Sequence, residues 1–262
     1  MTFAYQQATS VADAAQAVRA NNEAKILAGG QSLLAAIKQG LAAPEALIDL
    51  SGLADLKGIK VEAGKVTIGA MSTHAAVAAS KELAAAIPAL ADLAGRIGDR
   101  QVRNRGTIGG SLANNDPAAC YPAAVLALNA TIHTDRRSIA ADDFFKGLYE
   151  TALAEGEIIS SVSFPVPEKA GWQKFKQPAS RFSIVGVFVA KTAGGVRVAV
   201  TGAGSCVFRA TALEQALSAS WSQAATMTVS ISEEGLNNDL HGSAAYRAAL
   251  IPVLAGRAVA GA

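Results

Sequence analysis

The 262-residue chain predicts an α+β fold: two lobes of mixed strand and helix, then a smaller C-terminal domain of antiparallel strands and helices. Three observations carry this expectation. A strand, a glycine loop, a helix and a second strand follow one another within residues 26–50. The alternating segments Ile59–Glu62 and Lys65–Ile68 flank Ala63-Gly64 and read as a hairpin. Apolar runs on either side of Ala193-Gly194-Gly195 read as a second, longer hairpin.

In chain order, residues 9–21 read as a helix, capped by Thr9 or Ser10, with Val11, Ala14, Ala15 and Val18 on its apolar stripe. Ile26-Leu27-Ala28 is a short strand that runs into the first glycine loop. Leu33–Lys38 is helical, with Leu33, Leu34 and Ile37 on one side, and Ala46–Leu50 is a strand. After the hairpin, helices are expected near 73–79, 88–97 and 121–128, and strands at 130–134 and 157–164. Phe164-Pro165-Val166-Pro167 closes this region, because proline breaks both kinds of element. Strands over 182–192 and 196–200 and helices near 210–219 and 243–260, the last capped by Ser243, complete the chain. The expected division is residues 1–168, with lobes of about 1–55 and 56–168, and then 169–262.

Composition narrows the function. A hydrophobic fraction of 51% with 17% charged residues describes a packed globular chain, and a net charge of +2 gives no reason to expect nucleic acid or an anionic membrane surface. No apolar run reaches the ~20 residues of a membrane span, and the first residues lack a secretory pattern, so a cytoplasmic location is expected. Two cysteines, Cys120 and Cys206, support neither a disulfide framework nor a cysteine-ligated iron–sulfur cluster within this chain. The three histidines are isolated, and no metal-ligand spacing is present.

The chemistry concentrates in two glycine-rich segments. Ala28-Gly29-Gly30-Gln31-Ser32-Leu33 follows a strand. Thr107-Ile108-Gly109-Gly110-Ser111 follows Arg100, Arg103 and Arg105 and precedes Asn114-Asn115-Asp116-Pro117. Glycine lets backbone approach a ligand closely, and successive N–H groups form an anion-binding concavity. Two such loops suggest one elongated phosphate ligand gripped from two sides. Neither is a G-x-G-x-x-G fingerprint or a G-K-[ST] phosphate loop. Plainer readings stand beside this one. The arginines also fit a solvated basic surface, and Asp116-Pro117 also fits a turn into a helix. Cys120 also fits a buried small hydrophobe, and His74 and His133 surface or core positions. Alternation puts Trp172, Lys174 and Lys176 on one face of a strand and Gln173, Phe175 and Gln177 on the other; lysines there also suit a protected sheet edge.

AGGQSLL at 28–34, RQVRNRGTIGGSLANNDPAACYPAA at 100–124, GEIISSVSFP at 156–165 and KFKQPASR at 174–181 together resemble the FAD-binding medium subunits of the molybdenum hydroxylases, over essentially the whole chain. These include the carbon monoxide dehydrogenase and xanthine dehydrogenase families. The resemblance implies a two-lobed FAD domain of the vanillyl-alcohol-oxidase type. It implies FAD contacts from Leu27, Ala28, Gly29, Gly30, Gln31, Ser32 and Leu33, from Thr107, Ile108, Gly109, Gly110 and Ser111, and from Asn115, Cys120, Glu157, Ile159 and Lys176. Ten residues beyond Gly110, where the family usually has an aspartate, stands Cys120. Gln31 stands where carbon monoxide enzymes commonly have histidine, which favours another member of the superfamily.

The resemblance further implies an electron-transfer role. A large partner subunit would hold the molybdopterin cofactor and hydroxylate the substrate, and a small one would carry 2Fe-2S clusters. This chain would pass electrons through FAD to an external acceptor, in a dimer of heterotrimers (a heterohexamer). No residue of the chain is expected to act as a catalytic acid or base, and none to hold a metal. The competing readings are a self-sufficient flavin reductase or oxidase and a scaffold that has lost its flavin.

Overall fold

The computed structural model describes residues 3–262. The first unit contains β1 (Ala4–Gln7), α1 (Val11–Ala20), β2 (Ala24–Leu27), α2 (Leu33–Lys38) and β3 (Ala46–Asp49). Its three strands are parallel in the order β1-β3-β2. Ser10 caps α1 by accepting the Asp13 N–H, and Ala14, Ala15 and Val18 are buried against Ile48 and Leu50. Strand β1 was not expected from the sequence. Its residues, Ala-Tyr-Gln-Gln, are all exposed on a sheet edge and carry no apolar alternation.

The second unit is built on an antiparallel sheet. It runs through β4 (Ile59–Glu62), β5 (Lys65–Gly69), α3 (His74–Ala79), α4 (Lys81–Ala86), α5 (Pro88–Gly95), α6 (Arg100–Arg105), α7 (Ile108–Asn114) and α8 (Tyr121–Ala127). There follow β6 (Thr131–Thr134), β7 (Ser138–Ala140), α9 (Ala141–Phe144), β8 (Phe145–Gly147), β9 (Glu150–Thr151) and β10 (Ile159–Pro165). The sheet order β4-β5-β10-β6-β7 places β10 at the centre, between the expected hairpin and β6. Val66, Ile68, Leu90, Leu93, Val125, Ile132, Val162 and Phe164 form its core.

Residues 100–114 differ from the expected loop. They form two short helices, α6 capped by Asp99 and α7 capped by Thr107. Caps at both starts outweigh the low helix propensity of the Gly109-Gly110 pair. The strand expected at 157–164 begins only at Ile159, because Glu157 is held in the preceding turn.

The third unit contains β11 (Lys169–Lys176), β12 (Ser183–Thr192), β13 (Gly195–Thr201), β14 (Phe208–Arg209), α10 (Thr211–Ala219), α11 (Gln223–Met227) and α12 (Ala244–Ala260), with Ser243 capping α12. Its antiparallel sheet has the order β11-β12-β13-β14. One face, through Val185, Val187, Val198 and Val200, packs on Leu213, Ile251 and Leu254 of the helices. The other, through Trp172, Phe188 and Ala199, joins the core of the second unit.

Candidate functional site: a glycine-lined cleft where the three units meet

A cleft of about 510 Å3 is walled by residues from all three units. The first unit contributes Ala28, Gly29, Gly30, Gln31, Ser32 and Leu33, together with Lys25 and Ile26. The second contributes His74, Ile97-Gly98, Gly106, Thr107, Gly110, Ser111 and Cys120, and the third Lys174 and Ser180–Phe182.

The first glycine segment keeps the conformation its sequence suggests. Gly30 has φ +71°, a region that disfavours L side chains. Gly29 lies so close to the second unit that an added Cβ would stand 2.2 Å from the Arg105 carbonyl oxygen. Among the described residues, the backbone N–H groups of Gly29, Gly30, Gln31, Ser32 and Leu33 donate to no protein acceptor. Five successive free donors at a half-exposed cleft wall are available to an anion such as a pyrophosphate.

The second segment does not supply such a concavity. Ile108 N–H donates to Ser72 O at 3.2 Å and Gly109 N–H to Ala70 O at 2.8 Å. Gly110 N–H donates to Thr107 Oγ1 at 3.1 Å, and Ser111 N–H to Thr107 O at 3.0 Å. Ile108 and Gly109 are buried, and an added Cβ on Gly109 would stand 2.6 Å from Ala70 Cβ. These residues fasten α7 to β5 and its following turn. Only Thr107, Gly110 and Ser111 of the segment reach the cleft wall.

Other expected contacts are turned away. Asn115 adopts left-handed backbone at the end of α7 (φ +42°), and its buried Nδ2 donates to the Gly147 and Glu150 carbonyls at 2.8 Å each. It ties the β8–β9 ribbon to α7. Glu157 accepts from Arg137 Nε at 2.9 Å, Thr134 Oγ1 at 2.8 Å and the Ala154 N–H at 2.7 Å. The Arg137 guanidinium holds its carboxyl down to about 2, well below the usual range. Ile159 is buried in the core at the start of β10, and Leu27 lies in β2 behind the loop. None of these four lies on the cleft wall.

The cations also differ from the expectation. Arg103 Nη1 donates to the Ile97 and Gly98 carbonyls, so it braces the rim. Arg100 and Arg105 do not line the cleft. Lys25, Lys174 and Arg181 do, against one carboxylate, Asp116, which is engaged with the Ala118 N–H in its own turn. On β11, a bulge after Phe175 breaks the alternation, leaving Lys176 exposed at the strand end while Lys174 turns inward. Lys174 is 8% exposed, and its Nζ donates to Arg96 O at 2.9 Å and to Cys120 Sγ at 3.3 Å. Alternation puts Lys174 on the same face as Trp172, and the structure buries that face rather than leaving it as a solvated sheet edge.

His74 is the other residue the sequence did not assign to the site. It is 5% exposed, and its ring packs against Tyr121 with centroids 5.3 Å apart. Burial, aided by the charge of Arg103, lowers its pKa to about 4, so the ring is neutral near pH 7. Its buried Nδ1 has no hydrogen-bond partner, and the Tyr121 hydroxyl is likewise unpartnered. Burial raises the tyrosine pKa far above its ordinary value.

Comparison with known proteins bears on this cleft. Residues 1–167 match the family described as the FAD binding domain in molybdopterin dehydrogenase. The chain belongs to this family. It is an FAD-binding oxidoreductase subunit of the molybdenum hydroxylase type. It is 35% identical to the nicotine 6-hydroxylase medium subunit of Paenarthrobacter nicotinovorans, covering 97% of this chain and 95% of the relative. It is 34% identical to the carbon monoxide dehydrogenase medium chain of Hydrogenophaga pseudoflava, covering 98% of this chain and 96% of that one. A solved structure of carbon monoxide dehydrogenase from that organism, lacking the Mo-pyranopterin moiety of its molybdenum cofactor, superposes with a TM-score of 0.90 at 34% identity, over 99% of this chain and 96% of the other. The residues present fit the flavin cofactor: free amides suit its pyrophosphate, and the cations around them balance its charge. Among the described residues no helix is long and apolar enough to cross a membrane, and no group of His, Cys, Asp and Glu is placed to hold a metal ion.

Proposed function

We propose that the cleft holds FAD with its pyrophosphate on the free amides of Gly29–Leu33, and that the chain relays electrons from 2Fe-2S clusters of a partner subunit to an external acceptor. The single observation behind this is the run of five unpaired donors facing a cationic cleft. The isoalloxazine supplies the redox chemistry when FAD is bound. The chain's own residues bind, orient and shield. Ser32, Thr107 and Ser111 offer hydroxyls along the cleft, and Lys174 places positive charge deep in it. A cation near a ring that gains negative charge on reduction favours the reduced form. Lys176, at the exposed end of β11 next to the Ser180–Phe182 rim, is long enough to close over a bound cofactor.

A large subunit with the molybdopterin cofactor and a small 2Fe-2S subunit complete the proposed complex, as a dimer of heterotrimers in the cytoplasm. The test is an absorbance spectrum of natively purified protein, run with a gel for co-eluting chains. Stoichiometric flavin with two partner chains supports the proposal. Flavin with no partner favours a self-sufficient flavoenzyme, and folded protein without flavin overturns the cofactor assignment.

A further inference from the structure

We propose that Cys120 and Lys174 form an oxidisable pair, able to join the start of α8 to strand β11 through a reversible sulfur–nitrogen bond. Lys174 Nζ lies 3.3 Å from Cys120 Sγ, and the Ser183 hydroxyl lies 3.6 Å from the same sulfur. Both residues are more than nine-tenths buried, at 5% and 8% exposed, so the two head groups are held together rather than dispersed into solvent. Among the described residues Lys174 takes part in no ion pair; its partners are the Arg96 carbonyl and the thiol. Both residues line the cleft, which gives a small oxidant a route to the sulfur. Cys206, the other free thiol, is hydrogen-bonded to no lysine among the described residues, and its side-chain partner is Asn115 Nδ2 at 3.6 Å.

The oxidant is a hydroperoxide. In the first step the sulfur attacks one peroxide oxygen; an S–O bond forms, the O–O bond breaks, and water leaves, giving a sulfenic acid. A neighbouring lysine head group is among the environments that favour attack by sulfur. In the second step Lys174 Nζ passes its extra proton to solvent in the cleft, and the freed lone pair attacks the sulfur; an S–N bond forms, the S–O bond breaks, and a second water leaves. The sum is one thiol, one amine and one hydrogen peroxide giving one sulfenamide and two waters. The sulfur loses two electrons, and the peroxide gains them. An external thiol reverses the link by attacking the sulfur and releasing the amine, and a second thiol then frees Cys120 as a disulfide forms. The link would strap the second unit to the third across the cleft wall.

The test uses the full chain, with flavin content recorded by absorbance, treated with hydrogen peroxide and digested for mass spectrometry. The expected product joins the Cys120 and Lys174 peptides and is lighter than their sum by two hydrogen atoms. Dithiothreitol removes it, and it is lost in Lys174→Arg and in Cys120→Ser. Oxidation of Cys120 to sulfinic or sulfonic acid with no joined peptide would overturn the proposal, as would oxidation confined to Cys206. The link depends on the pair's geometry and not on bound flavin. A chain that forms it while carrying no FAD fails only the cofactor assignment.

Discussion

Ala28–Ser32 and Thr107–Ser111 each place a Gly-Gly pair before a hydroxyl residue, and their amides meet different fates. The first segment is a loop after a parallel strand, and its donors from Gly29 onward have no protein acceptor. The second is the first turn of a helix, and all four of its amides from Ile108 to Ser111 are bonded within the protein. Glycine permits close approach in both. In one the approach leaves donors facing a cleft; in the other it seats α7 on Ala70. A glycine-rich motif therefore reports tight backbone packing, and the hydrogen-bond partners decide whether an anion site results.

The largest expected effect tests that difference directly. An alanine Cβ at position 29 stands 2.2 Å from a backbone carbonyl that cannot move without shifting α6. Gly29→Ala should cost roughly 2–3 kcal/mol and abolish retention of FAD. At position 110 the nearest obstacles are Thr107 Oγ1 at 2.9 Å and Ala28 Cβ at 3.3 Å, so Gly110→Ala should be milder. Gly110→Asp adds a carboxylate facing the cleft and should abolish flavin binding while the fold survives. Unfolding curves and flavin content after gel filtration check all three. Normal occupancy in folded Gly110→Asp would show that the phosphates lie elsewhere.

The sequence made the first segment legible because strand, glycine loop and helix follow one another in register with their periodicities. It did not reveal the helical state of residues 100–114, because caps at Asp99 and Thr107 act against a glycine-rich, weakly periodic composition. Nor did it separate Lys174 from Lys176. The two share a face under ideal alternation, and only the bulge after Phe175 parts them. Asn115 and Glu157 resembled ligand contacts because buried polar side chains look alike in sequence whether their partner is a cofactor or the chain's own backbone. His74 gave no signal at all, since its burial against Tyr121 appears only once α3 and α8 are packed.

That packing makes His74 the next probe, because it lies beside the second segment rather than the first. Its pKa is about 4 in the folded chain against an ordinary 6.5. Above pH 6.5 both states are neutral and stability is full. Between 6.5 and 4 the unfolded chain gains a proton that the folded chain does not, so stability should fall by on the order of 3 kcal/mol. Glu157 follows a different window: its folded carboxyl is held near 2, so its contribution is present above 4.5 and is lost as pH drops toward 2. Urea unfolding across pH should show His74→Gln removing the upper loss and leaving the lower one. An unchanged upper slope would mean that the ring is solvated.

Thr107→Ala and Ser32→Ala should separate the two segments by kind of effect. Thr107 caps α7 through the Gly110 amide, so its loss should cost about 1 kcal/mol of stability. Ser32 precedes α2 without making a side-chain cap bond, so its replacement should leave stability unchanged and weaken flavin retention instead. Equal stability losses in the two variants would erase the distinction drawn from their amides.

The smallest effect is expected at Cys120, where the cleft meets the third unit. Its sulfur is the acceptor for Lys174 Nζ at 3.3 Å, but the ammonium keeps the Arg96 carbonyl at 2.9 Å when the sulfur is removed. The side chain is small, so Cys120→Ala leaves a void of about one sulfur atom beside a cleft that water can enter. FAD affinity should therefore change less than tenfold, which is below about 1.4 kcal/mol, as read by titrating apoprotein with FAD and following flavin fluorescence. A larger loss would make the thiol a direct flavin contact. It would also extend the anion-binding wall from the first loop to the start of α8, in the unit whose own glycine segment spends its amides from Ile108 to Ser111 within the protein.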